Sequence, residues 1–290
     1  MRRAHFVGIV LAVVAVAAAA NAQQNPDDFR WTGQIARGKS VEIKGINGSI
    51  KASYVSGNQV EVLAHKRARR SNTADVFIDV VEHDGNVTIC AVYPPSAHST
   101  GSSGSAGSGY TSRNYRRGSR PNSNDGPNEC KPGNEGRMNT NNNDVNVEFD
   151  VRVPEGVVLI AKTVNGGIDA SSLKSDIDAN TVNGRISLST TGVASADTVN
   201  GSIEASLGSA KWNDALDFHT VNGGITISLP KGLAANLHAD TLNGEIDSDF
   251  PITVTSMRHR GRRIIGTIGS GGKELHLSTT NGGIRLRTNP

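Results

Sequence analysis

One six-residue phrase recurs six times in the second half of the chain. The copies are Thr163-Val164-Asn165-Gly166-Gly167-Ile168, Thr181-Val182-Asn183-Gly184-Arg185-Ile186, Thr198-Val199-Asn200-Gly201-Ser202-Ile203, Thr220-Val221-Asn222-Gly223-Gly224-Ile225, Thr241-Leu242-Asn243-Gly244-Glu245-Ile246 and Thr279-Thr280-Asn281-Gly282-Gly283-Ile284. A seventh, Gly45-Ile46-Asn47-Gly48-Ser49-Ile50, stands far upstream. From Asn165 onward the asparagines step by 18, 17, 22, 21 and 38 residues. Steps near 20, with a last step about twice as long, mark a repeat architecture in which each copy packs on the next.

Asn-Gly is favoured where the backbone turns through positive φ, so Asn47, Asn165, Asn183, Asn200, Asn222, Asn243 and Asn281 are read as structural corner positions, not ligands. A two-residue hairpin uses Asn-Gly as well. Step length and the whole phrase decide between them. At about 3.3 Å per residue, each step makes two short strands and two turns, one coil of a flattened β-solenoid. The apolar positions repeat too, so Val164, Val182, Val199, Val221 and Leu242 are expected to stack inside, as are Ile168, Ile186, Ile203, Ile225, Ile246 and Ile284. Such an aliphatic core suits a chain with only 4% aromatic residues. Val153-Pro154-Glu155-Gly156 and Leu229-Pro230-Lys231-Gly232 each end one strand and turn into the next.

Upstream, Ser40–Lys44, Gln59–Ala64, Asp75–Val80 and Asn86–Cys90 alternate apolar and polar residues at period two, as does Val145–Val153. No mature segment shows helical periodicity. Residues 94–143 are rich in Gly, Ser, Asn, Pro and Arg and are read as a long disordered insertion, unable to bury enough apolar area to offset chain entropy. The expected organisation is a signal peptide at 1–22, a strand region at 29–93, the loop at 94–143 and a repeat region at 144–290, with 29–93 and 144–290 forming one continuous domain. The signal reading rests on Arg2-Arg3, an apolar run from Phe6 to Ala20 and the small-x-small site Ala20-Asn21-Ala22. No later apolar stretch is long enough to cross a bilayer. In an exported chain the only two cysteines, Cys90 and Cys130, are expected to pair.

The repeated phrase, the Pro-x-Gly turns and the run from Gly266 to Leu277 resemble the bacterial "putative adhesin" β-strand-repeat domain of unknown function, and Gly45-Ile46-Asn47 is similar to a signature of autotransporter adhesin heads. The resemblance covers most of Val145 to Leu286 and, more loosely, Trp31 to Cys90. It implies an exported, non-catalytic, all-β solenoid.

Signatures of common chemistries are missing. No Gly-x-Ser-x-Gly phrase stands between a strand and a helix, which argues against a nucleophile elbow. Gly266 to Lys273 is no phosphate loop, because Glu274 stands where Ser or Thr is needed and a strand follows. The histidines are scattered singly, and His219, His238 and His276 are read as outward-facing strand residues, not as a shared metal site. Stacked coils could align Asp169 with Asp247 for calcium, but the nonapeptide of calcium-binding rolls is missing. No cofactor is expected.

Formal net charge is only +3, which with export argues against a nucleic-acid partner. Local clusters are Lys66, Arg67, Arg69 and Arg70; Arg113, Arg116, Arg117 and Arg120; and Arg258, Arg260, Arg262 and Arg263. The last two are candidate sites for envelope polyanions, glycan or phospholipid, since arginine pairs with phosphate in bidentate geometry. The functional expectation is a structural or adhesin-like binding module, periplasmic or at the cell surface, whose partner is such a polyanion or another envelope protein and whose solenoid ends could self-associate. The competing reading is a polysaccharide-acting enzyme with carboxylates converging on a solenoid face.

Overall fold

A computed structural model of the protein describes residues 28–94, 128–133, 140, 142–209, 212, 215–258 and 262–289. The signal-peptide reading, and Arg113, Arg116, Arg117, Arg120 and Arg260, lie outside the described residues, as does most of the 94–143 insertion. The first strands are β1 (Asp28–Gln34), β2 (Ser40–Lys44), β3 (Ile50–Val55), β4 (Gln59–Arg67), β5 (Phe77–His83), β6 (Asn86–Val92) and β7 (Asn146–Pro154). Then come β8 (Val158–Lys162), β9 (Ile168–Leu173), β10 (Ile177–Asn183), β11 (Ile186–Thr190), β12 (Ala194–Asn200), β13 (Ile203–Leu207), β14 (Leu216–Asn222) and β15 (Ile225–Leu229). The last are β16 (Ala235–Asn243), β17 (Ile246–Ser248), β18 (Ile252–Arg258), β19 (Arg262–Ile268), β20 (Lys273–Asn281) and β21 (Ile284–Thr288). The helical content of the described residues is a single 3-10 turn, Thr73–Asp75, and no described helix is long and apolar enough to cross a membrane.

The strands form two sheets. Sheet A runs β1-β4-β7-β3-β9-β11-β13-β15-β21-β17, and sheet B runs β18-β19-β16-β20-β14-β12-β10-β8-β2-β6-β5. Each Asn-Gly corner carries the chain from a sheet B strand to a sheet A strand opening at Ile; β10, β12, β14, β16 and β20 end on the corner asparagine itself, whereas β2 and β8 stop at Lys44 and Lys162 just before it. Successive coils then pair in parallel and in register. The result is the expected all-β solenoid-like stack.

The two sheets meet across a thin core of in-register rows. One row on sheet A runs Ile50, Ile168, Ile186, Ile203, Ile225 and Ile284, all but inaccessible to solvent. Facing it, Ala161, Ala179, Ala196, Phe218, Leu277 and Ala239 form a row on sheet B. Each fully buried Ile or Leu contributes about 1.5–3 kcal/mol.

Two expectations about the phrase are corrected. Val182, Val199 and Leu242 face outward, 39%, 38% and 63% exposed, while Thr163, Thr181, Thr198, Thr220, Thr241 and Thr279 are buried. Strand alternation is the cause. Each Thr points inward with its Oγ1 donating to the Gly carbonyl of the adjacent coil, as Thr181 does to Gly166 and Thr220 to Gly201, both at 2.8 Å, which turns Val182, Val199 and Leu242 outward, whereas Val164 is partly buried and packs against the core as expected. The second correction concerns glycine. Among the seven phrase glycines only Gly48 has positive φ, at 127°. The others are needed because a Cβ would lie 1.8–2.0 Å from the Gly carbonyl oxygen of the coil below. Positive φ is found instead in the Pro-x-Gly turns, at Gly156 and Gly232.

The asparagines form a ladder in the spatial order Asn47, Asn165, Asn183, Asn200, Asn222, Asn281, Asn243. Every Nδ2 from Asn165 onward donates to the Oδ1 of the asparagine before it, at 2.7–2.9 Å. That order exposes two departures from a progressive solenoid. The β20-β21 coil is inserted between β14-β15 and β16-β17. The long 38-residue step holds no missing coil; it holds the antiparallel hairpin β18-β19, which continues sheet B beyond β16.

At the other end β6 and β7 flank β2 and β3, making one more coil whose corner is replaced by the insertion. Cys90 on β6 is bonded to Cys130 with a Cα–Cα distance of 5.6 Å, as expected. The sheet A edge at β17 is blunted: that strand is three residues long, and Arg287 on β21 pairs with Asp247 and Asp249 beside it.

Candidate functional site

The outer face of sheet B carries most of the chemistry, in two rows set by strand register. The first runs Glu42, Ile160, Asp178, Ser195, Asp217, His276, His238, Ile265. The second runs Lys162, Asn180, Asp197, His219, Ser278, Asp240, Arg263. These positions alternate with the core rows, so sequence periodicity alone turns them outward.

Three zones follow along that face. At the β2-β6 end, residues 128–133 lie across the sheet, held by the disulfide. Glu42 is buried beneath them, accepting from Lys162 Nζ at 3.0 Å, Thr88 Oγ1 at 3.0 Å and the Gly133 N–H at 2.9 Å. Lys44 is buried beside it and donates to the Lys131 carbonyl. These charges are compensated and covered, which fits a structural role. Tyr93, at the root of the insertion, is buried and donates to the Val145 carbonyl at 2.8 Å; burial pushes its pKa up to about 12.

The middle zone is open. Asp178, Asn180, Ser195, Asp197, Asp217 and His219 line a shallow depression of about 410 Å³. Asp178 Oδ1 accepts from Asn180 at 2.8 Å and from Ser195 at 2.9 Å, which fixes one carboxylate of the three.

The third zone lies over β16 and β20. His238 and His276 are register partners, their rings 5.0 Å apart edge to face. Both Nε2 atoms approach the same oxygen, Glu274 Oε2, at 3.3 and 3.5 Å. Asn236 Nδ2 donates to the other oxygen, Oε1, at 2.9 Å. That amide, and then the neighbouring imidazoles, hold the Glu274 carboxyl below the ordinary carboxylate range.

The family model of Toastrack DUF4097 matches residues 134–287, just over half of the chain. The chain belongs to the toastrack DUF4097 family. Comparison with curated proteins gives no match. Among solved structures, it is similar to a "putative cell adhesion protein" from Clostridium sporogenes at 11% identity, covering 90% of this chain and 99% of that one, with a TM-score of 0.41. It is also similar to a "putative adhesin" from Bacteroides fragilis at 9% identity, covering 90% and 97%, with a TM-score of 0.32.

The toastrack stack extends upstream of the matched residues, since β2, β3 and β6 pair within the same two sheets. On this toastrack the residues singled out from sequence fall as follows. Arg262 pairs with Glu245 at 3.0 Å and Arg263 with Asp240, so both guanidinium groups already hold carboxylates. Arg258 lies on β18 in register with Arg263. Asp169 and Asp247 lie in one register row of sheet A but are kept apart by the four strands β11, β13, β15 and β21, so they do not meet at one cation, and Asp247 is taken by Arg287. His219, His238 and His276 face outward as expected. Reading the histidines singly missed that two of them adjoin. The available signal was offset, because each stands five residues before its corner asparagine, Asn243 or Asn281, and a register-true stack places equal offsets side by side.

Proposed function

We propose that this toastrack protein is an exported, adhesin-like binding module of the cell envelope, and that it presents the middle of sheet B to hydroxyl-rich glycan. The observation that carries the reading is the rigid, in-register array of Asp178, Ser195, Asp217, Asn180, Asp197 and His219 around an open depression. Carboxylates accept hydrogen bonds from adjacent hydroxyls, and amide and imidazole groups add donors. The Cys90–Cys130 bond supports an oxidising compartment. Phosphate-bearing polymers fit the acidic depression less well than neutral ones, and Arg262 and Arg263 are engaged.

The test is calorimetric titration of the full chain with neutral and with anionic envelope glycans, each at low and high salt. The reading expects neutral glycan binding that is insensitive to salt and weakened about tenfold or more by Asp197→Ala or Asp217→Ala, the scale of one lost charge-assisted hydrogen bond. Binding confined to anionic polymers and abolished by salt would move the site to the basic clusters. The three aspartates also line one depression on a solenoid face, where the polysaccharide-acting reading looks for its carboxylates, so reducing ends are measured in the same incubations, and their release would favour the enzyme.

A further inference from the structure

We propose that His238, Glu274 and His276 form a binding site for a divalent transition metal of the zinc class, with two imidazole nitrogens and one carboxylate oxygen as ligands and one coordination position open to solvent.

The geometry comes first. The three candidate ligand atoms all lie within 4.8 Å of one another. Zinc binds imidazole nitrogen and carboxylate oxygen at roughly 2.0–2.2 Å, and ligands at those distances on a tetrahedron stand about 3.3–3.5 Å apart. His238 Nε2 and His276 Nε2 stand 3.3 and 3.5 Å from Glu274 Oε2. The separations are those of ligands sharing a metal.

A second observation is independent of that spacing. Glu274 Oε2 is shielded from solvent and has no hydrogen-bond partner in acceptable geometry. A carboxylate oxygen so placed needs a partner, because withdrawing it from water without one is costly. A simple ion pair would bring one imidazole N–H to about 2.7–2.9 Å. Here two nitrogens converge on one oxygen and neither reaches that distance, so the arrangement suits a cation between the three groups better than a proton shared by two.

The surroundings are those of a ligand set held in place. β16 and β20 are parallel and in register over nine-residue strands, which fixes His238 beside His276. Asn236 holds Oε1 of Glu274 and also donates to the Gly272 carbonyl at 2.9 Å, so the carboxylate is oriented by a side chain that is itself anchored. Such outer-shell contacts orient metal ligands and raise affinity. Structural zinc sites have four protein ligands, whereas three with an open position allow an external ligand. The three side chains remain 41–47% exposed, which leaves that position reachable. On the next strand Asp217 is the register partner of His276, so the site borders the acidic depression.

The experiment uses the full chain without an added histidine tag, stripped with chelator and titrated with Co²⁺ and Zn²⁺, with far-ultraviolet circular dichroism confirming the fold of each variant. The wild-type chain should bind one equivalent and give the visible absorption of four-coordinate Co²⁺. His238→Gln, His276→Gln and Glu274→Gln should each weaken binding beyond the roughly 100-fold upper range of outer-shell changes, and Asn236→Ala by about 10-fold. His219→Gln, on the same face, should leave binding unchanged. Failure of the folded wild-type chain to bind one equivalent would overturn the site, as would an unaltered cobalt spectrum in His276→Gln. Both outcomes are independent of any glycan result.

Discussion

Within each Thr-Val-Asn-Gly-x-Ile phrase, threonine bonds to the neighbouring backbone, asparagine extends a side-chain ladder, glycine lets two coils touch and isoleucine fills the core. These contributions differ in size. Asn200→Ala removes one exposed bond to Asn183 and one from Asn222 and should cost about 1 kcal/mol. Gly201→Ala would place a Cβ 1.9 Å from the Gly184 oxygen and 2.5 Å from its carbonyl carbon, both backbone atoms. That overpacking should cost at least about 3 kcal/mol or prevent folding. Urea unfolding of the two variants checks the contrast, and equal costs would refute the close-approach argument. The sequence made the location of each corner readable, because the phrase repeats whole. It did not reveal the reason for glycine, since the atom that excludes a Cβ belongs to another coil. For the same reason it misplaced Val182 and Val199: the hydrogen bond that turns threonine inward exists only once coils are stacked.

At the level of elements, β2, β4, β6 and β7 were legible from period-two alternation, and β2 has the bounds expected of Ser40–Lys44, whereas β1 and β3 were not singled out and the strand expected from Asp75 starts at Phe77, after a 3-10 turn. Their partners were not. Nothing local says that β6 and β7 complete a coil around β2 and β3, because the insertion replaces the corner that would have announced it. Tyr93 gives a handle on this junction. Its folded pKa of about 12 lies above the ordinary value of 10.0, so its contribution is fully present below about pH 10 and is lost as pH rises toward 12. The difference corresponds to about 3 kcal/mol. Tyr93→Phe should therefore lower stability modestly at neutral pH, through the lost bond to Val145, yet flatten the alkaline decline. Denaturant midpoints at pH 8 and pH 11 for both chains would show it. An equally steep decline in the phenylalanine variant would assign the alkaline loss to other groups.

Across the whole molecule, the disulfide ties residues 128–133 to the sheet they overlie. Removing the bond by Cys90→Ala with Cys130→Ala frees a loop of about 40 residues and should cost about 4 kcal/mol on the chain-entropy estimate. For a chain of this size that is a fall in Tm of about 10 °C, readable by scanning calorimetry with the wild type as reference. The Glu42 cluster should also become accessible, because its Gly133 partner lies on the released segment. A midpoint shift below about 2 °C would mean that residues 128–133 stay docked without the bond.

The inserted coil has a consequence in time. Residues 273–288 lie between strands that precede them in the chain, and β14 and β16 can reach their final neighbours only after β20 arrives to join them. Growth from one end, as in simple solenoids, therefore cannot finish this structure. A chain emerging amino-terminus first would hold its β16-to-β19 portion open until the last coil is delivered, so the far third of the stack should acquire protease resistance in a single late step.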